Sequence, residues 1–311
     1  MKFDDAKSIE LTDKELFDGY FEKYPPMISE FTFTNLFIWR NYYNLKFIED
    51  EGHLLLFSED FLRNWEKPMN NNEEPLFFLP PIGDSPEKMI LTIFEEVEKV
   101  EFRRVPEKII ENLEDEQKAK RLGLNFQEDR DNWDYVYNKN ELKELSGNKY
   151  RSKRRLLESF KEQYEYEFHL VDESLLDKCR ELQNKWCIIN ECQKNKDLKQ
   201  EQKAIFELFK HFSELEINGG LLLVDHNPAG YTFGEPLNPN TGVIHLEKAH
   251  THYEGSYQAI NHMFLEHCCP EDIKYINREQ DLGIPGLRKA KKSYQPEYMV
   301  KKSIIYRNLE D

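Results

Sequence analysis

Apolar residues recur at two spacings along the first half of the chain, and each spacing predicts one type of secondary structure. Residues 11–23, LTDKELFDGYFEK, place apolar side chains three to four positions apart after a Thr-Asp cap signal, which predicts a helix. Short apolar runs on both sides of Glu51 and Gly52 predict a hairpin, and Ser85 followed by Pro86 predicts a helix start. The first half therefore predicts alternating strands and helices, as in a mixed α/β layer.

This alternation restarts in the second half of the chain. Residues 140–164, NELKELSGNKYRSKRRLLESFKEQY, carry their apolar side chains on one helical face behind a basic start. The elements predicted after that helix run in the order β, α, β, β, β, α, β, α, β. A chain of 311 residues is also the right length for two domains of ~150 residues each. We therefore predict two domains, residues 1–140 and residues 141–311.

The composition is that of a folded protein with an acidic balance. Hydrophobic residues make up 39% and aromatic residues 13%, which is ample for packed cores although 33% of the residues are charged. Asp and Glu exceed Lys and Arg by 59 to 43, so the formal net charge of −16 repels nucleic acid and anionic lipid at long range. An anionic partner therefore needs a local basic patch.

Two short segments in the second half supply concentrated positive charge. Residues 149–155, KYRSKRR, hold five basic residues, and residues 288–292, RKAKK, hold four. Lys and Arg form charge-assisted hydrogen bonds with phosphate, so both runs are candidates for contact with a phosphate-bearing donor or acceptor. A solvated helix face is the alternative explanation for each run.

The N-terminus and the cysteine content bear on location and on metal binding. The chain begins MKFDDAKSIE without the apolar region of a signal peptide, and no run approaches the ~18 apolar residues that span a bilayer. We therefore expect a cytoplasmic protein with no transmembrane segment, whose five cysteines are reduced thiols. Histidines and cysteines crowd residues 245–269 without a C-x-x-C or H-x-x-x-H pair, so no metal site is expected.

A carboxylate ends one predicted strand of the second half. Glu247 closes the strand GVIHLEKA, where alternation puts it on the same face as Val243 and His245. A carboxylate at a strand end can take a proton from an attacking amine, directly or through water. The alternative is a solvent-exposed Glu beside Lys248.

A run of polar residues ends a later strand of the second half. After Ile276 the chain continues with Asn277, Arg278, Glu279, Gln280 and Asp281. If the strand runs on, alternation puts Asn277, Glu279 and Asp281 on one face, where paired carboxylates can hold a cationic amine. The alternative is that these carboxylates form structural ion pairs with the neighbouring basic residues.

Several segments resemble known acyltransferases. The strand, loop and helix of residues 244–260, IHLEKAHTHYEGSYQAI, resemble the donor-binding region of the GNAT acyltransferase fold. Residues 277–296, NREQDLGIPGLRKAKKSYQP, together with GNKYRSKRR at 147–155 and FTNLFIWR at 33–40, resemble more closely the family related to the C-terminal domain of phosphatidylglycerol lysyltransferases. Members of that family are tandem GNAT-like proteins akin to the Fem aminoacyltransferases. The resemblance covers nearly the whole chain.

The resemblance implies both a fold and a reaction. The fold is a mixed α+β arrangement of two tandem GNAT-like domains, each with a mixed, mostly antiparallel sheet flanked by helices. The reaction moves an acyl or aminoacyl group from acyl-CoA or aminoacyl-tRNA to an amine or hydroxyl of a small molecule, lipid or peptide, with no tightly bound cofactor. Positioning, a base and a polarised carbonyl suffice for such a transfer. The alternative is a non-catalytic binding module for a small ligand or peptide.

The resemblance and the basic runs together give three groups of candidate site residues. The predicted catalytic residues are Glu247, Glu279 and Tyr294, of which the tyrosine occupies the position where GNAT enzymes often protonate the leaving group. The predicted substrate-binding residues are Asn277, Arg278, Asp281, Arg288, Lys289 and Lys292. The predicted donor-binding residues are Gly255, Ser256, Tyr257, Lys149, Arg151, Lys153 and Arg154. The loop departs from a usual acetyl-CoA loop, because Tyr257 stands where the second glycine would fall.

Overall fold

The structure of the protein, a computed structural model, describes residues 3–64, 66–69, 74–114 and 116–307. These residues form two compact units. Within the described residues, unit 1 comprises the chain up to Asp134, Gln280–Gly283 and the chain from Met299 onward, and unit 2 comprises Tyr135–Glu279 and Ile284–Tyr298. Unit 1 therefore takes two segments from the second half of the chain, whereas the predicted bounds of 1–140 and 141–311 divide it once. Those bounds stay a prediction of domain organisation.

Strands and helices alternate over both units. The strands are β1 (Lys7–Ser8), β2 (Lys46–Asp50), β3 (His53–Ser58), β4 (Leu76–Phe78), β5 (Val100–Pro106), β6 (Leu124–Glu128), β7 (Asp134–Asn138), β8 (Tyr166–Leu170), β9 (Asn218–Val224), β10 (Asn227–Asn238), β11 (Thr241–Ala249), β12 (Tyr275–Asn277), β13 (Tyr298–Val300) and β14 (Lys302–Arg307). The α-helices are α1 (Lys14–Lys23), α2 (Phe33–Tyr43), α3 (Phe61–Asn64), α4 (Pro86–Glu96), α5 (Glu107–Glu114), α6 (Gln117–Arg121), α7 (Lys139–Glu144), α8 (Arg151–Gln163), α9 (Leu176–Ile189), α10 (Lys196–Lys210), α11 (Phe212–Leu215), α12 (Ser256–His267) and α13 (Pro285–Lys292).

Unit 1 contains a seven-stranded sheet in the order β1-β2-β3-β4-β5-β14-β6. Strands β4 and β5 are parallel, and the other neighbouring pairs are antiparallel. Strand β14 is the last in the chain, yet it pairs with both β5 and β6 and buries Ile305 completely. The core is aromatic, since the rings of Phe78 and Phe94 lie 5.2 and 5.5 Å from that of Phe102. Such ring pairs stabilise beyond the area they bury.

A second seven-stranded sheet has the order β13-β7-β12-β11-β10-β9-β8, and its strands β8 to β12 lie wholly in unit 2. Strands β11 and β12 are parallel, whereas β7–β12, β10–β11, β9–β10 and β8–β9 are antiparallel. Helices cover both faces, because Tyr231 of β10 contacts Phe209 of α10 while the neighbouring Gly230 faces Ile260 of α12. The predicted fold class, with mostly antiparallel sheets flanked by helices, is confirmed.

The cysteines depart from what the sequence predicts. The Sγ atoms of Cys187 and Cys192 lie 2.16 Å apart in a disulfide that links the end of α9 to the following turn, while Cys179, Cys268 and Cys269 are free thiols. The expectation of five reduced thiols is therefore wrong for this pair, because the turn after Ile189 brings the two side chains together. Over the described part of the chain, no helix combines the length and the apolar character needed to cross a membrane. The cytoplasmic location stays a prediction.

Candidate active site

Two parallel strands of unit 2 separate at the place where several predicted site residues meet. Strand β11 pairs with β12 over Thr241–Val243 and then runs on to Ala249. After Asn277, at the end of β12, the chain instead follows β7, where the backbone N–H of Arg278 donates to the carbonyl of Tyr135 at 2.9 Å. We call the space between β11 and the segment after β12 the fork. The carboxyl ends of parallel strands are where ligands bind in open α/β sheets.

A buried ion pair crosses the fork. Glu247 of β11 accepts from Nη2 of Arg278 at 2.7 Å with one carboxylate oxygen and from Nδ2 of Asn261 at 2.9 Å with the other. The side chains of Glu247 and Arg278 are only 11% and 13% exposed. Burial alone would lower the pKa of Arg278, but the charge and hydrogen bond of Glu247, together with the neighbouring Tyr137 and Tyr294, outweigh burial and hold that pKa above its usual value. Each charge therefore depends on the other for its stability in the interior.

A tyrosine completes the cluster at the fork. Tyr294, two residues after α13, is buried, and its hydroxyl oxygen accepts from Nε2 of Gln258 at 3.0 Å. Nζ of Lys153 and Cζ of Arg278 lie 4.4 and 4.9 Å from the centre of its ring, within the range of cation–π attraction. Burial raises the pKa of Tyr294, so the phenol keeps its proton at neutral pH. It can donate that proton to a bound group.

The backbone around Arg278 is held from several directions. Its carbonyl accepts a hydrogen bond from Nζ of Lys291, and the next carbonyl, that of Glu279, accepts from the N–H of Tyr135 at 3.1 Å. Glu279 has a left-handed backbone with φ of 58°, which is uncommon for a residue with a side chain. Within the described residues, Nη1 of Arg278 is buried without a hydrogen-bond partner. A buried donor left unused in this way is free to bind a ligand oxygen.

A histidine links two carboxylates beside the cluster. Nδ1 of His245 lies 2.8 Å from an oxygen of Glu279, and Nε2 lies 2.9 Å from an oxygen of Glu235. Burial alone would lower the pKa of His245, but the two carboxylates outweigh it and raise that pKa to about 9. The ring is therefore protonated at neutral pH and donates from both nitrogens. Among the described residues, no group of three or more His, Cys, Asp or Glu side chains is arranged to hold a metal ion.

We expect stability to fall between about pH 6.5 and about pH 9 because of His245. Its pKa is higher in the folded protein than the ordinary 6.5, so its contribution is fully present below 6.5 and is lost as the pH rises through about 9. The loss is on the order of 3 kcal/mol. Urea unfolding at a series of pH values should show this slope in the wild type, and the slope should shrink in His245→Gln. His226→Gln, which changes an 89% exposed histidine, should keep it. An unchanged slope in His245→Gln would contradict the assignment.

The polar run after Ile276 does not continue the strand, which corrects one expectation. Strand β12 ends at Asn277, whose side-chain oxygen accepts from the N–H of Glu279 at 2.8 Å. Asp281 is fully buried in unit 1, where it accepts from Nη1 of Arg130 at 3.1 Å and from the N–H of Gly283 at 3.0 Å. The expectation that Asn277, Glu279 and Asp281 share one open face is therefore wrong. Asp281 serves a buried ion pair instead of a substrate amine.

The basic run at the start of α8 divides between several partners. Lys149 is half exposed and pairs with Glu141 at 2.5 Å. Arg154 donates to two backbone carbonyls that follow α7, and Arg151 is exposed. Lys153 alone of these four predicted donor-binding residues lies over the ring of Tyr294, where burial and the charge of Arg278 lower its pKa. The run therefore contributes one side chain to the cluster at the fork.

The second basic run lies on α13. Lys289 and Lys292 are exposed, and Arg288 is half-buried. Lys291 was not among the predicted residues, although its ammonium group binds the carbonyl of Arg278. The predicted phosphate contact of Arg288, Lys289 and Lys292 stays a prediction.

The loop before α12 is closely packed. Gly255 has φ of +86°, and a Cβ there would lie 2.3 Å from the carbonyl oxygen of Leu156, so no larger residue fits. The buried hydroxyl of Ser256 donates to a backbone carbonyl of the preceding turn at 3.1 Å. The hydroxyl of Tyr257 accepts from Nε1 of Trp186 of α9 at 3.2 Å. The loop thus has a packing reason for its glycine beside the predicted role in donor binding, which stays a prediction.

Sequence reasoning missed the polar residues of α12. Gln258 binds Tyr294 and Asn261 binds Glu247, and the two are three positions apart on one helical face. Asn261 is 2% exposed although α12 is otherwise rich in apolar residues. A polar pair at this spacing in an apolar helix is a signal that could have predicted both residues.

Comparison with known proteins gives the chain a GNAT-like acyl- or aminoacyltransferase fold. The family model described as "Phosphatidylglycerol lysyltransferase, C-terminal" matches residues 21–306. The chain therefore belongs to this family, which confirms the resemblance in its sequence. Among curated proteins, no sequence matches the chain.

Solved structures resemble the whole chain. A conserved protein of unknown function from Bacteroides thetaiotaomicron VPI-5482 matches with a TM-score of 0.87 and 29% identity, over 98% of this chain and 99% of that chain. The structure of L-PGS from Bacillus licheniformis matches with a TM-score of 0.63 and 15% identity, over 96% and 93% of the two chains. FemX matches with a TM-score of 0.57 and 10% identity, over 98% and 97%. The last two share the fold, which confirms the predicted tandem GNAT-like class.

Proposed function

We propose that unit 2 is an acyltransferase that moves an acyl or aminoacyl group from an activated donor to an amine or hydroxyl. The observation that carries this proposal is the cluster of Glu247, Arg278 and Tyr294 at the fork, where an ion pair, a protonated phenol and an unused guanidinium donor adjoin. Family membership supports the same class of reaction. Groups of this kind, fixed in a water-poor site, stabilise the charge that develops during acyl transfer.

The proposed reaction gives each residue of the cluster one task. Nη1 of Arg278 donates to the carbonyl oxygen of the donor and polarises it. Glu247 retains unused lone pairs, so it accepts the proton of the attacking amine or hydroxyl. The new bond to the carbonyl carbon forms, the bond to the leaving oxygen or sulfur breaks, and Tyr294 gives its proton to that leaving atom. Exchange with solvent then removes the proton from Glu247 and returns a proton to Tyr294.

Glu279 receives a different task from that of a proton carrier. Its carboxylate is hydrogen-bonded to the protonated ring of His245, and its backbone forms the left-handed turn directly after Arg278. We assign it as a positioning residue that sets the direction of the guanidinium. If Glu279 also contacted a cationic amine, as predicted from the sequence, its carboxylate would bind both that amine and the ring of His245.

Two donors remain in competition, and each has a supporting observation. Family membership and the exposed Lys289 and Lys292 favour aminoacyl-tRNA. The net charge of −16 favours the smaller acyl-CoA, because long-range repulsion of a polyanion is avoided. A non-catalytic binding module is the second candidate function, and the internal hydrogen bonds of both Glu247 oxygens favour it.

A donor panel tests the proposal. We expect either a short acyl-CoA or an aminoacylated tRNA to raise the melting temperature of the full chain, since a ligand at one hundred times its Kd stabilises the native state by about 2.7 kcal/mol. The same donor should transfer its group to an added amine, detected by mass spectrometry. Uncharged tRNA and free CoA are the matched controls. Binding without transfer would favour the binding module, and no effect from either donor class would contradict the proposed function.

A further inference from the structure

A small cavity opens at the end of β11, where residues of α9 and of α12 both line it. It encloses about 100 Å³. Its floor is apolar, because Leu182 and Ala249 are completely buried there, and two of its walls are the aromatic rings of Trp186 and Tyr257. Ile189, which is 55% exposed, lies at the rim beside polar residues. An apolar floor with aromatic walls and a polar rim is the usual composition of a ligand-binding pocket.

The cavity adjoins the cluster at the fork. Ala249 follows Glu247 by two residues in β11, so both side chains point to one face and their Cα atoms lie about 6.6 Å apart. Tyr257 precedes Gln258, whose side chain binds Tyr294. A group attached directly to a carbonyl carbon at the fork is therefore within reach of the cavity. The portion of a donor that stays with its carbonyl carbon is the group that is transferred.

The volume of the cavity limits the group that it can take. An apolar cavity of about 150 Å³ binds benzene, with its six carbon atoms. In proportion, a cavity of about 100 Å³ takes about four carbon atoms. Aliphatic amino-acid side chains and short acyl groups are of this size, whereas a lysyl side chain adds an ammonium group to four carbons.

The charges around the cavity disfavour a cation. None of its lining residues carries a carboxylate. Nζ of Lys248 lies 3.9 Å from the centre of the Trp186 ring, so a positive charge already stands against this wall. The carboxylates of Glu201 and Glu247, whose charges act on Tyr257, already have cationic partners, since Glu201 binds Lys248 at 2.8 Å and Glu247 binds Arg278 at 2.7 Å. An ammonium group in the cavity would therefore lose its hydration without gaining a counter-charge.

We propose that this cavity holds the side chain or acyl tail of the transferred group and selects small, uncharged groups of about four carbon atoms over lysyl-sized cations. The proposal rests on the proposed transfer reaction at the fork. It names the substrate class of that site, which the family description by itself would suggest to be lysyl. The aromatic walls and the position of Lys248 give the selectivity.

Norleucinamide and lysinamide test the proposal, because their side chains share four carbons and differ by the ammonium group. We expect calorimetry on the full chain to show norleucinamide binding at least tenfold more tightly. It should also change the fluorescence of Trp186, which is the one tryptophan between residues 135 and 298. Lysinamide binding as tightly as norleucinamide, or no binding of either amide, would overturn the proposal. Neither measurement requires turnover. A failure of the amides to bind can therefore be distinguished from a failure of the protein to transfer a group.

Two variants locate the binding within the cavity. Ala249→Leu fills the floor, and Ile189→Trp narrows the exposed rim without touching the core, so each should weaken norleucinamide binding at least tenfold. Ile188→Ala is the matched control, because Ile188 is 79% exposed and does not line the cavity. Equal norleucinamide affinities in Ile189→Trp, Ile188→Ala and the wild type would overturn the assignment to this cavity. Because Ile189 is at the exposed rim, this comparison can be made even if Ala249→Leu fails to fold.

Discussion

Replacing Arg278 by Met is expected to lower the free energy of unfolding by about 3–5 kcal/mol, because it leaves Glu247 buried without its cation. Asn261 would still donate to one carboxylate oxygen, which is too little to compensate a buried charge. The same change removes the guanidinium that polarises the carbonyl in the proposed reaction. We expect the transfer rate to fall by about 10²–10³-fold as a result. Urea unfolding and the mass-spectrometric transfer assay measure the two effects.

A second variant separates the two effects. In Arg278→Met with Glu247→Gln the charges of the ion pair are both removed, so most of the stability should return, while the transfer rate should stay at or below that of Arg278→Met. Arg180→Met is the matched control, since its side chain is 41% exposed and its ion pair with Asp177 is long, at 3.9 Å. That control should change stability by less than about 1 kcal/mol. If Arg278→Met is as stable as the wild type, the ion pair between Arg278 and Glu247 does not stabilise the folded protein.

The elements of the fold follow from local patterns. The apolar spacing over residues 11–23, the turn at Glu51 and Gly52, and the start signal at Ser85 and Pro86 all predicted elements that the structure contains. These signals are short in range, because a helix face or a hairpin turn is specified within a few residues. The position of β14 between β5 and β6 has no such local signal, since its partners lie about 200 residues away. Sequence order alone therefore predicts that β14 belongs to the second domain, whereas it lies in the sheet of unit 1.

The candidate site shows the same limit. Glu247 and Tyr294 could be selected from the sequence because a polar residue at a strand end and a tyrosine after a short helix are visible locally, and the structure brings Arg278 to both. Asp281 was placed wrongly beside Glu279, because alternation holds only while a strand continues. The left-handed turn at Glu279 ends that alternation, and nothing in the neighbouring residues predicts it. Long-range partners decide where each carboxylate points.

Unit 1 offers the other large expected effect on stability. Nζ of Lys302 in β14 is completely buried and lies 2.6 and 2.8 Å from the two oxygens of Glu30 and 2.6 Å from an oxygen of Asp134. Asp134 also accepts from the backbone N–H and the hydroxyl of Ser29, at 2.8 and 2.9 Å. One ammonium group therefore serves two buried carboxylates. The attraction between this cation and the two carboxylates compensates much of the free energy that their desolvation costs.

Lys302→Met is expected to destabilise the protein by about 3–5 kcal/mol, because methionine fills the space but removes the positive charge that Glu30 and Asp134 share in the interior. Lys301→Met is a matched control one residue away, since Lys301 and its partner Glu107 are 46% and 49% exposed. An exposed pair of this kind contributes about 0–1 kcal/mol. Urea unfolding of the two variants side by side measures the difference. Equal stabilities would mean that the buried carboxylates find other partners or take up protons, and the cluster would then not depend on its lysine.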